Sequence, residues 1–252
     1  MIFNYGNNNN MKNIKQQTQI ILGAVLVAVI AISISGIETA YAGKCGATTL
    51  ADHCYTGYYR TGFQDGHKAS VTVTDLTVPN TCGVGTKEFT ALPNWLLLNS
   101  MGTDWIEVGV AEGKIAGNCY HEVIYTFTNI DGGTGGTGFG THGTLTVGNT
   151  YALSIDDSAT AKSWAIKKDT STLRTLVTSY NTGWGMVGIE QTHNSTSSTP
   201  LTHLTNISYY NSGWNTWASG SATARSSDSP LSSIICTADH HIHVKSGTAA
   251  TC

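Results

Sequence analysis

Two glutamates have the residue type and setting for acid–base chemistry. Glu107 lies in Trp105-Ile106-Glu107-Val108-Gly109-Val110, and Glu190 ends Met186-Val187-Gly188-Ile189-Glu190. Both stretches alternate as strands do, with successive side chains on opposite faces. Ile106, Val108 and Val110 then share one face, leaving Trp105, Glu107 and Gly109 on the other. In the same way Val187 and Ile189 are set against Met186, Gly188 and Glu190. Each carboxyl is therefore expected opposite the core. If that face is the concave side of a curved sheet, the two acids converge; on an open face each is simply solvated. Two carboxyls in one cavity cannot both ionise cheaply, so they share a proton and titrate as a pair. The ionised member then serves as base toward an attacking water, while the protonated member hydrogen-bonds the oxygen that gains charge. Such a site is expected to work best in acid, and alternation leaves open which glutamate takes which role.

Other chemistries find less support. Asp131 to Gly143 reads DGGTGGTGFGTHG, but no helix or lysine follows at the offset a phosphate loop needs, so a flexible hairpin loop is expected. No serine occupies a G-x-S-x-G turn. Asp239-His240-His241-Ile242-His243 is the densest group of metal-ligand types. On a strand His241 and His243 share a face, yet no third ligand is identifiable, so no metal site and no cofactor is assigned. His53, His67, His121, His142, His193 and His203 are scattered and receive no role.

The elements that must position the glutamates read as strands throughout: Ala69 to Val73, Trp105 to Val110, Glu122 to Asn129, Thr150 to Ile155, Ser163 to Lys168, Leu173 to Ser179, Gly185 to Gln191, His203 to Tyr210 and His240 to Lys245. Leu92 to Ser100 fits a short helix or a strand, and Ser212 to Ser233 a surface excursion. The segments are β-branched or aromatic and are separated by Gly, Asn, Asp and Ser, which favour turns. The expected fold is all-β, a two-sheet antiparallel β-sandwich of the concanavalin-like jelly-roll kind.

Residues 1–42 carry Lys12 and Lys15, an apolar run from Ile20 to Ile34 and the small-x-small site Ala40-Tyr41-Ala42, the pattern of a secretory signal peptide. An uncleaved anchor is the alternative. Residues 43–252 then form one secreted domain, and Met11 is a candidate start. All six cysteines, Cys45, Cys54, Cys82, Cys119, Cys236 and Cys252, follow that site. In an oxidising compartment they imply three disulfides, with local pairing 45–54, 82–119 and 236–252 preferred among the 15 connectivities that six cysteines allow. Charged residues are 12% of the chain and the net charge is −3, so neither nucleic acid nor an anionic membrane is an expected partner. The expected partner is a polypeptide or glycan in an extracellular cleft, bound by a monomer. The sequons at Asn194 and Asn206 are candidate glycosylation sites.

Several of these pieces are shared with one family. WIEVGV at 105–110, YTF at 125–127, VGNTYALSI at 147–155, SWAI at 163–166, GIEQT at 188–192 and LTNI at 204–207 resemble the C-terminal sandwich of neprosin-type glutamic peptidases, and more loosely secreted concanavalin-like domains. The resemblance implies a sandwich fold and a catalytic pair at Glu107 and Glu190. Trp105, Trp184 and Gly188 are then expected to contact substrate. At the second acid this chain has Gly188-Ile189-Glu190 where that family has Gly-Gly-Glu. Sandwich glycosidases of the laminarinase type carry an E-x-D-x-x-E strand that is missing here. A non-catalytic binding module is the rival from another class, with Trp184, Tyr209, Tyr210, Trp214 and Trp217 as a candidate aromatic platform. A surface-layer or filament subunit has only the low charge and Thr/Gly content in its favour.

Overall fold

The computed structural model describes residues 53–60, 62–76, 89–99, 104–115, 118–128, 138–157, 162–192, 199–218, 222–225, 231–236, 241–246 and 250–252. The leader, Cys45, Cys82, Asn194 and 131–137 of the glycine-rich run lie outside them. Among the described residues there are fifteen strands and no helix. In chain order they are β1 (His53–Arg60), β2 (Gly66–Thr72), β3 (Phe89–Leu97), β4 (Trp105–Ile115), β5 (Asn118–Thr128), β6 (Gly138–Thr144), β7 (Thr150–Asp157), β8 (Ser163–Lys168), β9 (Ser171–Val177), β10 (Trp184–Thr192), β11 (Thr202–Tyr210), β12 (Trp214–Thr216), β13 (Ala222–Arg225), β14 (Leu231–Cys236) and β15 (His241–Ser246).

They form two sheets. The first is seven-stranded in the order β13-β1-β10-β3-β4-β5-β6. The second runs β14-β15-β11-β2-β7-β8-β9, with β12 added to β11. Every pairing is antiparallel. The sequence neighbours β3, β4, β5 and β6 form a meander, whereas β10 arrives from far along the chain to pair between β1 and β3. That insertion brings the strand of Glu190 within two positions of the strand of Glu107.

The core lies between the sheets and follows the alternation. Ile106, Val108 and Val110 of β4 and Val187 and Ile189 of β10 face Leu153, Ile155, Trp164, Ile166, Ile242 and Val244 of the second sheet, all fully buried in one cluster. Burial of each such aliphatic side chain contributes about 1.5–3 kcal/mol. This core fixes which face of β4 and β10 is left for the glutamates, because a one-residue slip would turn every side chain over.

Some expectations are corrected. Of the two readings open for Leu92 to Ser100, the strand holds over Leu92 to Leu97, as part of β3. Gly138 to Gly143, expected in a loop, belongs to β6 and pairs with β5, because residues of small or no side chain accommodate the rings of the partner strand: a Cβ on Gly140 would fall 2.2 Å from the Tyr125 ring. The expected excursion from Ser212 holds β12 and β13 and runs into β14, and β1 was not foreseen at all. Cys236 and Cys252 are bonded, with Cα atoms 5.5 Å apart. Cys54 is also in a disulfide; the expected 45–54 and 82–119 pairings each involve a residue outside the described ones.

A polar seam interrupts the core. His67 of β2 and Asn94 of β3 are fully buried, and Asn94 donates from Nδ2 to the backbone oxygens of His67 and Leu153 at 3.5 and 3.3 Å. Both His67 ring nitrogens, both Gln64 amide atoms and Trp217 Nε1 are buried without a hydrogen-bond partner. Loss of hydration pushes the His67 imidazole down to about 3, because a cation in a low-dielectric interior is costly.

Candidate functional site

The outer face of the first sheet holds both glutamates. Glu107 pairs across β4–β3 with Trp95, and Glu190 pairs with Ala91 on the same strand. Trp95 and Ala91 are four residues apart, an even separation, so both glutamates share one face. Between their two rows runs a third. Gly57 pairs with Gly188, Pro93 pairs with Gly109, and the constant β10–β3 register on either side, Val187–Asn94 and Glu190–Ala91, aligns these pairs. The middle row therefore carries three glycines and a proline. It forms a strip without long side chains, flanked on one side by the Glu107 row and on the other by the Glu190 row.

Backbone chemistry explains the strip. Proline has no N–H to donate to a ladder, and Pro93 sits where no β10–β3 pair is formed, between Asn94 and Ala91. The β1 and β10 backbones approach so closely that a Cβ at Gly188 would lie 2.0 Å from the Thr56 carbonyl oxygen, and one at Gly57 would lie 2.1 Å from that of Val187. Only glycine is admitted at both positions.

Both carboxyls are nearly buried, Glu107 at 5% and Glu190 at 6% exposure, rather than solvated on an open face. Thr126 of β5 donates from Oγ1 to Glu107 Oε2 at 3.0 Å, and Trp105 donates from Nε1 to Thr126 Oγ1 at 3.5 Å. The indole proton thus directs the single threonine proton toward Glu107. Trp95 supplies a second hydrogen bond to the same carboxyl. An indole N–H and this threonine can only donate here, so both contacts favour an ionised Glu107. Burial and the Glu190 charge outweigh them, and together they push the Glu107 carboxyl up to about 8. A like charge can act this way only at short range. Glu107 therefore holds its proton through neutral pH.

Aromatic rings border the pair. Trp95, Leu97 and Met186 pack together on this face with Tyr55, Tyr59, Trp105 and Trp184 against them. Trp184 meets Phe63 edge-on, with centroids 5.8 Å apart, and Phe63 is 57% exposed. Of the residues expected near substrate, Trp105 reaches Glu107 through Thr126, Trp184 stands in the aromatic border, and Gly188 belongs to the strip. Sequence reasoning missed Trp95, Thr126, Tyr55 and Tyr59. The alternating rings of Tyr55-Thr56-Gly57-Tyr58-Tyr59 were the available signal for the last two.

The five rings considered as one platform are not together. Trp217 is core, Trp184 is on the first sheet, and Tyr209 packs against the core beneath Arg60. Tyr210 and Trp214 pair on the second sheet. Among the histidines, His203 and His243 stack at 4.0 Å, and His243 Nδ1 contacts the Thr251 carbonyl. The group Cys236, His243 and Cys252 gathers metal-ligand types within 4.8 Å, but its two sulfurs are bonded to each other.

No protein-family model matches the sequence, and no curated protein is significantly similar to it. Solved structures do match in shape. Scytalido-glutamic peptidase with a transition-state analogue inhibitor superposes with TM-score 0.52 at 10% identity, over 78% of this chain and 98% of that one. The same enzyme with a peptide-based transition-state analogue gives TM-score 0.51 at 8% identity over the same shares. At such identity the fold is what is shared.

Proposed function

We propose that the chain is a glutamic-type endopeptidase that acts outside the cell, with Glu107 and Glu190 as its catalytic carboxyls. The observation that carries this reading is the geometry of the pair: two buried carboxyls on strands distant in sequence flank a strip without long side chains, and burial, with the Glu190 charge added to it, holds the proton on Glu107. The fold shared with a glutamic peptidase supports it.

An extended peptide laid on the strip would present its scissile carbonyl between the two acids. Glu190, ionised, accepts a proton from a water as the water oxygen attacks the carbonyl carbon. Glu107, protonated, donates its hydrogen bond to the carbonyl oxygen as that oxygen becomes negative. Collapse of the tetrahedral species breaks the C–N bond, and the proton held on Glu190 passes to the departing nitrogen. The products are a carboxyl and an amine, and the pair returns to its starting protonation state. Water and two carboxyls complete the proton balance. The aromatic border of Trp95, Trp105 and Trp184 suits apolar side chains on either side of the bond, since large rings give contact area at low entropic cost.

The active form is the singly protonated pair, which exists between the two macroscopic pKa values. With Glu107 held up to about 8, the active range extends into neutral pH. Incubation of the purified protein with a reduced, unfolded polypeptide from pH 3 to 9 tests the reading. Cleavage falling away above about pH 8 is expected, and no cleavage at any pH would overturn it.

A further inference from the structure

The outward side of the second sheet carries a site unrelated to the glutamate pair. A cavity of about 410 Å³ opens there, lined by Lys68, Ser70, Asn206, Ser208, Thr216 and His241 among others, a volume typical of small-molecule sites. We propose that it binds an acidic sugar, a pyranose bearing a carboxylate.

The cavity comes from a break in the ladder. The β11–β2 register shifts between Thr205 and Ser208, and inside that bulge Asn206 has φ +51°. A left-handed residue within a strand costs energy and re-aims its side chain, and bulges of this kind gather at functional sites. Here Asn206 donates from Nδ2 to Ser70 Oγ at 3.3 Å, and Ser208 donates from Oγ to the Asn206 carbonyl at 3.2 Å. Ser70 and Ser208 are more than nine-tenths buried. Hydroxyls and an amide are thus fixed around a concave space, with both donor and acceptor capacity, as sugar hydroxyls need.

Charge selects the class. Lys68 and His241 are the ionisable residues of the lining, and no carboxylate is among them. The adjacent Asp156 is already engaged by Lys167 and by Ser154 Oγ. Aromatic rings stand next to the lining, one pair further along β11 and β12 than Ser208 and Thr216 on the same face: Lys68 Nζ stands 4.3 Å from the Trp214 ring centre, Tyr210 meets Trp214 edge-on at 5.4 Å, and Trp214 is 39% exposed. A large ring left in water beside a fixed cation offers a stacking surface to the apolar face of a sugar and a counter-charge to its carboxylate.

Titration of the full-length protein with trigalacturonate, followed by calorimetry and tryptophan fluorescence, tests the site. Saturable binding is expected, weakening as salt rises and falling at least tenfold in both Trp214→Ala and Lys68→Gln, with cleavage of an unfolded polypeptide and the melting temperature unchanged. Cellotriose and inorganic phosphate are the controls. Absence of saturable trigalacturonate binding, equal binding by either variant, or equal affinity for cellotriose or for phosphate alone would each overturn the proposal. Because the cavity and the glutamate pair are on different sheets, loss of one activity leaves the other readable.

Discussion

At the residue scale the two glutamates differ. Glu107 receives hydrogen bonds from Thr126 and Trp95 and is nonetheless held protonated by burial and by Glu190. A neutral glutamine copies the shape of a protonated glutamate and keeps an N–H donor. Glu107→Gln is therefore expected to retain measurable cleavage, while Glu107→Leu, which has no donor, loses about 10²–10³-fold, as removal of an oxyanion donor does. Thr126 is a positioning residue. Its hydrogen bond favours the ionised form of Glu107, so Thr126→Val should move the alkaline limb of the pH–rate profile to higher pH, a change that a merely structural role would not produce. Stability carries the same signature. With a folded-state pKa raised from 4.5 to about 8, the stabilisation linked to the Glu107 proton is complete below pH 4.5 and is lost as pH rises through 8. Thermal melts should accordingly show Glu107→Gln gaining on wild type as pH rises from 5 to 8.

At the element scale the strip depends on Gly57, Gly188 and Pro93. Gly188→Ala places a methyl group against the Thr56 carbonyl and should cost about 1–3 kcal/mol or more, read as a lowered denaturant midpoint together with reduced cleavage. The Cys236–Cys252 bond ties the chain end to β14 across a 16-residue separation, and its removal by Cys252→Ser should cost about 3 kcal/mol on the loop-entropy model. Alternation in 105–110 and 186–190 was legible in the sequence because each stretch is half core and half groove, and the β8 limits Ser163–Lys168 were read to the residue. Pairing partners were not legible. Nothing local to Glu190 shows that β10 inserts between β1 and β3, since strand order is set by long-range core packing. β6 and β13 consist mostly of Gly, Thr and Ala, whose side chains bury too little to produce a period. Burial of the glutamates stayed open in the sequence for a related reason, because part of it comes from Trp95, Tyr55 and Tyr59 on the neighbouring strands β3 and β1.

At the scale of the whole molecule, acid places two demands on the chain that conflict. The glutamate pair tolerates low pH until it takes up a second proton, whereas the sandwich interior does not. His67 titrates near 6.5 in an unfolded chain and near 3 when folded, so the folded state binds fewer protons across that window. Its penalty is absent above pH 6.5 and grows as pH falls toward 3, reaching roughly 5 kcal/mol at full extent. Urea melts should show stability falling between pH 6 and 3, and less steeply in His67→Gln. The useful range is then mildly acidic to neutral, bounded below by His67 and above by Glu107. The measurement closest to the central claim is cleavage of a reduced, unfolded polypeptide at pH 6 by wild type, Glu107→Gln and Glu190→Gln, with folding of each variant verified by circular dichroism. Wild type should cleave, Glu107→Gln should keep part of the rate, and Glu190→Gln should fall by at least about 10²-fold, as loss of a general base requires. Equal cleavage by wild type and Glu190→Gln would contradict the account.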